Sequence, residues 1–302
     1  MGLKFGVVEQ LLALTKRTDF APRTAVTIGR LNVYLRTNEW RALVAIASPD
    51  VGARLRVAAD STAFGGYADA LLSALWPNVA IDVMDASDYE GANLLHDLNQ
   101  PLPMALHGAY DLVIEAGTIE HIFNVAEAIR TLLRLVREQG VVVLDTPANN
   151  LCGHGFFQVS PELIYRVFCA ENGFRLDTCL LEEFRFPSTE LSTRKRVVVP
   201  RDPSDVRDRV RVMTSGAAEL CAVATRLGSQ DPFGSGWPMQ SDYQTLWAAS
   251  GDEAQAEKGM ARVIWRRLQR LIPEVIRERV RGRREVLEAR LSNGRKFDRY
   301  PG

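Results

Sequence analysis

A chain of 302 residues, 46% hydrophobic and 25% charged, has ordinary globular composition. That excludes a disordered or fibrous chain and allows one large domain with an appendage or two small domains. Basic and acidic side chains balance at 37 each, so no overall positive charge argues for nucleic acid as a partner. The global balance hides a local asymmetry: residues 262–299 hold 13 Lys/Arg against 5 Asp/Glu, and the remainder is correspondingly acidic.

Residues 3 to 16 read as a short amphipathic helix, with Phe5, Val8, Leu11, Leu12 and Leu14 apolar. Glu9 and Gln10 interrupt the first apolar run, so no signal peptide is expected, and no stretch reaches the roughly 18 apolar residues of a spanning helix. The β-branched run Ala25–Ile28 stops at Gly29, the profile of a buried strand meeting a turn. Residues 39 to 75 are mostly helical in pattern, broken around Phe64-Gly65-Gly66. Strands are expected at 79–84, 93–96 and 110–115, each ending near an acid: Asp85, Asp97 and Glu115. A helix over 125–137 gives way at Gly140 to the apolar strand 141–144. Pro161 opens a further helix, and strands at 174–181 and 218–226 enclose a long polar segment. The four cysteines (Cys152, Cys169, Cys179, Cys221) form no C-x-x-C pair, which suits reduced thiols in a cytoplasmic protein.

Strands and helices that alternate, with the strands continuously apolar, imply a parallel sheet covered on both faces. Ligands on such sheets bind beyond the carboxyl ends of the strands. Asp85 stands there to accept from a ribose diol, and Asp97 from an exocyclic amine, with Leu98 as an apolar wall. Alternatively, each acid caps the turn that follows it.

The motifs D-A-S at 85–87, D-L-N-Q-P-L-P at 97–103 and Y-D-L-V-I-E-A-G-T-I-E-H-I at 110–122 carry a resemblance. So do L-L-R-L-V-R-E-Q-G-V-V-V-L-D-T-P at 132–147 and S-P-E-L-I-Y-R-V-F with N-G-F at 172–174. Together they resemble class I S-adenosylmethionine-dependent methyltransferases, in their type 11-like branch. The resemblance implies a Rossmann-like α/β sheet, mostly parallel with the last strand antiparallel, helices on both faces and a C-terminal helical extension. It divides the chain into a helical lead-in (1–23), a methyltransferase-like domain (24–227) and a basic helical extension (228–302). It also implies S-adenosylmethionine as cofactor, held by Gly29, Asn32, Asp85, Ala86, Asp97, Leu98, Glu115 and Ala116. The first loop, T-I-G-R-L-N, departs from the family's acid-x-Gly-x-Gly-x-Gly: Thr27 replaces the acid and Leu31 the second glycine. If Asn32 and the nearby backbone replace the glycines, the pocket survives; if Leu31 or Arg30 fills it, the pocket is closed.

Methyl transfer from a sulfonium needs positioning, plus a base when the acceptor is a hydroxyl. His154, between two glycines and ahead of Phe156-Phe157, His121 and Glu115 are the catalytic candidates. No metal is expected, because Glu120, His121 and His154 lack a ligand spacing. The function implied is O- or N-methylation of a small molecule or glycan. The alternative is a non-catalytic methyltransferase-like module that binds a protein or an anionic membrane surface. The Arg-rich segment 185–215 offers either an anionic acceptor pocket or a solvated excursion. The basic amphipathic stretch 262–291 would either touch the inner membrane surface peripherally or pack on the acidic domain or on a second copy in a homodimer.

Overall fold

The computed structural model describes residues 2–185, 189–243, 274–290 and 293–300. In chain order the elements are β1 (Gly2–Leu3), α1 (Phe5–Leu14), β2 (Thr24–Ile28), β3 (Asn32–Val33), α2 (Thr37–Ile46), α3 (Pro49–Ser61), β4 (Gly66–Tyr67) and α4 (Asp69–Leu75). The middle of the chain holds β5 (Ala80–Asp85), β6 (Leu94–Leu95), β7 (Tyr110–Ala116), α5 (Val125–Leu135), β8 (Val136–Asn149) and α6 (Pro161–Val167). It is followed by β9 (Phe174–Phe184), β10 (Arg194–Pro200), α7 (Pro203–Val206), β11 (Ala218–Arg226), α8 (Glu274–Ala289) and β12 (Phe297–Arg299).

Among the described residues nine strands form one sheet in the order β12-β10-β9-β11-β8-β7-β2-β5-β6. β6, β5, β2, β7 and β8 run parallel, and β11 runs antiparallel between β8 and β9. This is the Rossmann-like methyltransferase fold, extended at its far edge by β10 and β12. A smaller sheet, β1-β3-β4, lies at the start of the chain.

Strand periodicity sorts the core into two layers. Ala25, Leu112, Ile114, Val141, Val143 and Val223 pack with Leu11 of α1, Leu43 of α2, Leu55 of α3 and Leu71 of α4. Their neighbours Val26, Ile28, Val113, Val142, Leu144 and Leu220 pack with Leu132 of α5 and Ile164 of α6. The expected lead-in is not a separate layer: Leu3, Val7, Val8 and Leu11 are at most 2% exposed in the first of these cores.

Two expectations need correction. The helical stretch 39–75 is three helices, because Pro49 holds Ser48 in extended backbone and then starts α3 at its first turn. The polar segment 185–215 contains β10, and several of its cations pair with acids of the same chain. Arg194 pairs with Glu9 at 3.0 Å, Lys195 with Glu183 at 3.0 Å and Arg201 with Asp298 at 2.5 Å. Residues 262–273 of the expected basic amphipathic stretch lie outside the described residues. Within the described residues no helix is long and apolar enough to cross a membrane.

Candidate functional site

The parallel strands bring their carboxyl ends to one rim. Ile28 of β2 stands opposite Met84 of β5 and Glu115 of β7. Just beyond, Gly29 takes φ 69° and Gly117 takes φ 93°, a left-handed backbone that glycine enters without a Cβ penalty. Gly29 donates its N–H to the Met84 carbonyl at 2.7 Å, and the Thr118 hydroxyl donates to the Ile28 carbonyl at 3.1 Å. The two turns are thus locked side by side.

Asp85 ends β5 on this rim and accepts the Ala86 N–H at 2.6 Å. Among the described residues no cation pairs with it. Asp97 accepts from the Asn99 N–H at 2.9 Å and the Asn99 amide at 2.8 Å, so one of its oxygens closes its own turn. Those bonds, the backbone one first, hold its carboxyl below the usual range. Leu98 is 5% exposed and belongs to the core more than to the rim. Asn32 lies on β3 and donates to the Gly65 carbonyl at 2.8 Å, which ties it to the small sheet instead of the rim. Leu31 does not intrude on the rim, because it is buried in the layer of α1 to α4. Arg30 crosses the lip: it binds both oxygens of Asp69 at 3.0 Å, stacks 4.3 Å from the Tyr67 ring centre and donates to the Glu90 carbonyl at 3.3 Å.

Glu115 is fully buried beneath the turn, where one carboxylate oxygen accepts from the N–H groups of Thr118 (2.5 Å) and Ile119 (3.2 Å). Burial, and then the neighbouring Glu120, raise its pKa well above the carboxyl range. It positions the turn from below, and Ala116 is buried beside it.

The turn Ile119–His121 and the loop after β8 meet above it. The Glu120 carbonyl accepts from Phe156 N–H at 2.8 Å and Phe157 N–H at 3.2 Å. This docking brings His154 Nε2 to 3.5 Å and His121 Nε2 to 3.8 Å from Glu120 Oε1, with the two imidazole centres 5.4 Å apart. Glu120 is wholly buried, and burial pushes its pKa up to about 7. Burial, and then His154, lower the pKa of His121, keeping it neutral at physiological pH. Phe123 and Phe156, each two residues along the chain from one of the histidines, are 79% and 69% exposed and meet edge to face. Sequence reasoning named both histidines as bases and set Glu120 aside with them as a metal site that the spacing did not support.

Gly155 makes this docking fit. A Cβ there would lie 2.8 Å from the Glu120 carbonyl oxygen and 2.9 Å from its Cγ. Gly155→Ala should therefore push the loop off the turn at an overpacking cost of about 1–3 kcal/mol. Urea unfolding measures this, and a variant as stable as the parent would show that the close approach is not needed.

Behind the site Lys4, at the start of α1, reaches Glu219 of β11 at 2.6 Å and Asp145 of β8 at 3.4 Å. Glu219 also accepts from the Thr189 hydroxyl at 2.8 Å.

No protein-family model and no curated protein sequence matches the chain. Among solved structures the chain is similar to a Bacillus halodurans protein, at 12% identity over 75% of this chain and 100% of that one, with a TM-score of 0.41. It is also similar to the O-methyltransferase of a trans-AT PKS multienzyme from Brevibacillus brevis, in complex with S-adenosyl-L-homocysteine, at 9% identity over 73% and 72% of the two chains, TM-score 0.38. A third is 1,6-didemethyltoxoflavin-N1-methyltransferase from Burkholderia thailandensis, with bound 1,6-didemethyltoxoflavin and S-adenosylhomocysteine, at 8% identity over 74% and 80%, TM-score 0.36. The fold assignment stands on the strand order itself.

Proposed function

We propose that the protein is an S-adenosylmethionine-dependent methyltransferase, of the type 11-like branch, acting on a small molecule or glycan. The observation that carries this reading is the rim itself. Asp85 is an acid with no cationic partner among the described residues, and it stands beside two turns at Gly29 and Gly117. An adenosyl group needs such a place: a carboxylate to accept from both ribose hydroxyls, and bare backbone that a ligand can approach closely. Asp97 keeps an oxygen for an exocyclic amine while its other oxygen holds the turn.

S-adenosylmethionine, when bound, supplies an electrophilic methyl on a sulfonium. The protein's part is to orient the acceptor, keep water away and take up a proton. His121 and His154 are the candidate bases for an acceptor hydroxyl or amine, and the lowered pKa of His121 supports that role at neutral pH. Phe123 and Phe156 offer aromatic faces that suit a planar ring or the apolar face of a sugar.

One feature favours the second reading, a non-catalytic module. Arg30 is anchored across the lip by Asp69, Tyr67 and the Glu90 carbonyl, which would narrow the entrance for a cofactor.

Calorimetric titration of S-adenosylmethionine and S-adenosylhomocysteine separates the two readings. Micromolar binding is expected, weakened about 10- to 100-fold in Asp85→Ala through loss of charge-assisted hydrogen bonds to the ribose. Folded protein that binds neither ligand at millimolar concentration would overturn the enzymatic reading and leave the module.

A further inference from the structure

Glu120, His121 and His154 come from two loops, and each offers one ligand atom within 4.8 Å of the others. Both oxygens of Glu120 are buried and accept no hydrogen bond, although the carboxylate is fully enclosed. A buried carboxylate without a donor is costly, and native folds seldom leave one so. The Nε2 atoms of His154 and His121 lie 3.5 and 3.8 Å from one of those oxygens. Those separations are too long for hydrogen bonds of ordinary strength. They are close to the separation of about 3.3 Å between two ligand atoms on a tetrahedral ion with bonds of about 2.0–2.1 Å.

We infer that these three side chains form a binding site for a divalent transition-metal ion, of which Zn²⁺ is the natural occupant. Two imidazoles and one carboxylate are the donor set such borderline ions prefer, whereas Mg²⁺ and Ca²⁺ favour oxygen alone. The supporting contacts are already in place. Glu115 pins the turn that carries Glu120 and His121, and the Glu120 carbonyl holds the loop that carries His154. His154 lies between Gly153, where a Cβ would touch nothing within 4 Å, and Gly155, so it can close the remaining distance to its partners. Three protein ligands leave at least one position open, on the exposed side beside Phe123 and Phe156. An oxygen donor could occupy that position; under the proposed function it would be the acceptor hydroxyl, its pKa lowered by the metal, with the two imidazoles serving as ligands in place of the base role given them above. The metal site stands on its own geometry, and only this last role rests on the proposed function.

The test uses the full chain, freed of any tag and dialysed against a chelator. Co²⁺ is titrated while the visible d–d bands are followed, and Zn²⁺ is titrated by calorimetry. One equivalent of each is expected to bind, with Zn²⁺ displacing the Co²⁺ spectrum. His154→Ala, an exposed-loop change that should leave the fold intact, and Glu120→Gln should each weaken binding by at least about 100-fold. His107→Ala, before β7 at the opposite rim, should bind as the parent does. Folded parent that takes up no equivalent of either ion, or affinity unchanged by His154→Ala, would overturn the site. The cofactor titration is run on the same metal-free protein, so loss of the metal site and loss of the cofactor reading give separate results.

Discussion

Lys4→Met is expected to destabilise the fold by about 3–5 kcal/mol at pH 7.5, the cost of leaving buried acids without their cation. The Lys4 side chain is 13% exposed, and those of Asp145 and Glu219 are 4% and 5%. Burial works against the charge on Lys4, but Glu219, Asp145 and Glu190 outweigh it and hold the ammonium above the ordinary lysine value. Methionine preserves the stem and its packing, so the loss falls on the charge. Asp145, already held well above the ordinary carboxyl range mainly by burial, then faces Glu219 in a low-dielectric pocket without the Lys4 ammonium that opposes that rise. At pH 5 Asp145 holds its proton more fully, so the penalty should shrink there. Urea unfolding of parent and variant at both pH values measures this. A difference under 1 kcal/mol at pH 7.5 would mean that Lys4 does not compensate these acids.

The second large effect is the pH dependence of stability. Burial pushes Glu182 of β9 up to about 7 from an ordinary 4.5, against the opposing pull of Arg194, whose guanidinium is 3.7 Å away. Between those values the folded chain keeps a proton that the unfolded chain has released. Stability therefore falls as pH rises from about 4.5 to about 7 and is level for this group above that. The fall is roughly 3 kcal/mol from Glu182 alone. Glu115 and Asp145, also raised by burial, add to it. Carboxylates held low by ion pairs, such as Asp231 beside Arg134, act only at more acid pH. The optimum should lie near pH 5, and Glu182→Gln should lose roughly 3 kcal/mol less than the parent between pH 5 and pH 8. Equal slopes in the two proteins would place the titrating group elsewhere.

Continuous apolar runs such as Val141–Leu144 and Leu112–Ile114, bounded by turn signals, announce strands buried on both faces. The parallel sheet and the acids at its rim were legible for that reason. β10 was not. Its first three residues are Arg194, Lys195 and Arg196, and their charges are neutralised by acids on α1 and β9 that no local pattern reveals. The cluster of Glu120, His121 and His154 was named and set aside for a similar reason: ligand spacing is a signal within one element, whereas here the loop after β8 folds back onto the turn after β7. Asn32 was assigned to the cofactor because of its place in the first loop. That place holds a short strand, and the amide completes the smaller sheet. Lys4 gave no sign at all, since its partner Glu219 lies 215 residues away.

That distance also governs how the chain assembles. Gln10 on α1 donates to the Tyr300 hydroxyl at 3.3 Å, 290 residues on, and β12 covers the outer edge of β10 through pairing that ends at Arg299. During synthesis the first helix emerges long before the acids and the edge strand that complete its surroundings. The early chain must hold an apolar helix and an open sheet edge until the last residues arrive. Folding should therefore be slow for the protein's size, as contact between distant segments dictates. A chain cut short before Phe297 would keep the rim and its chemistry but expose the backbone of β10 to any strand that can pair with it, which makes aggregation the first consequence of truncation.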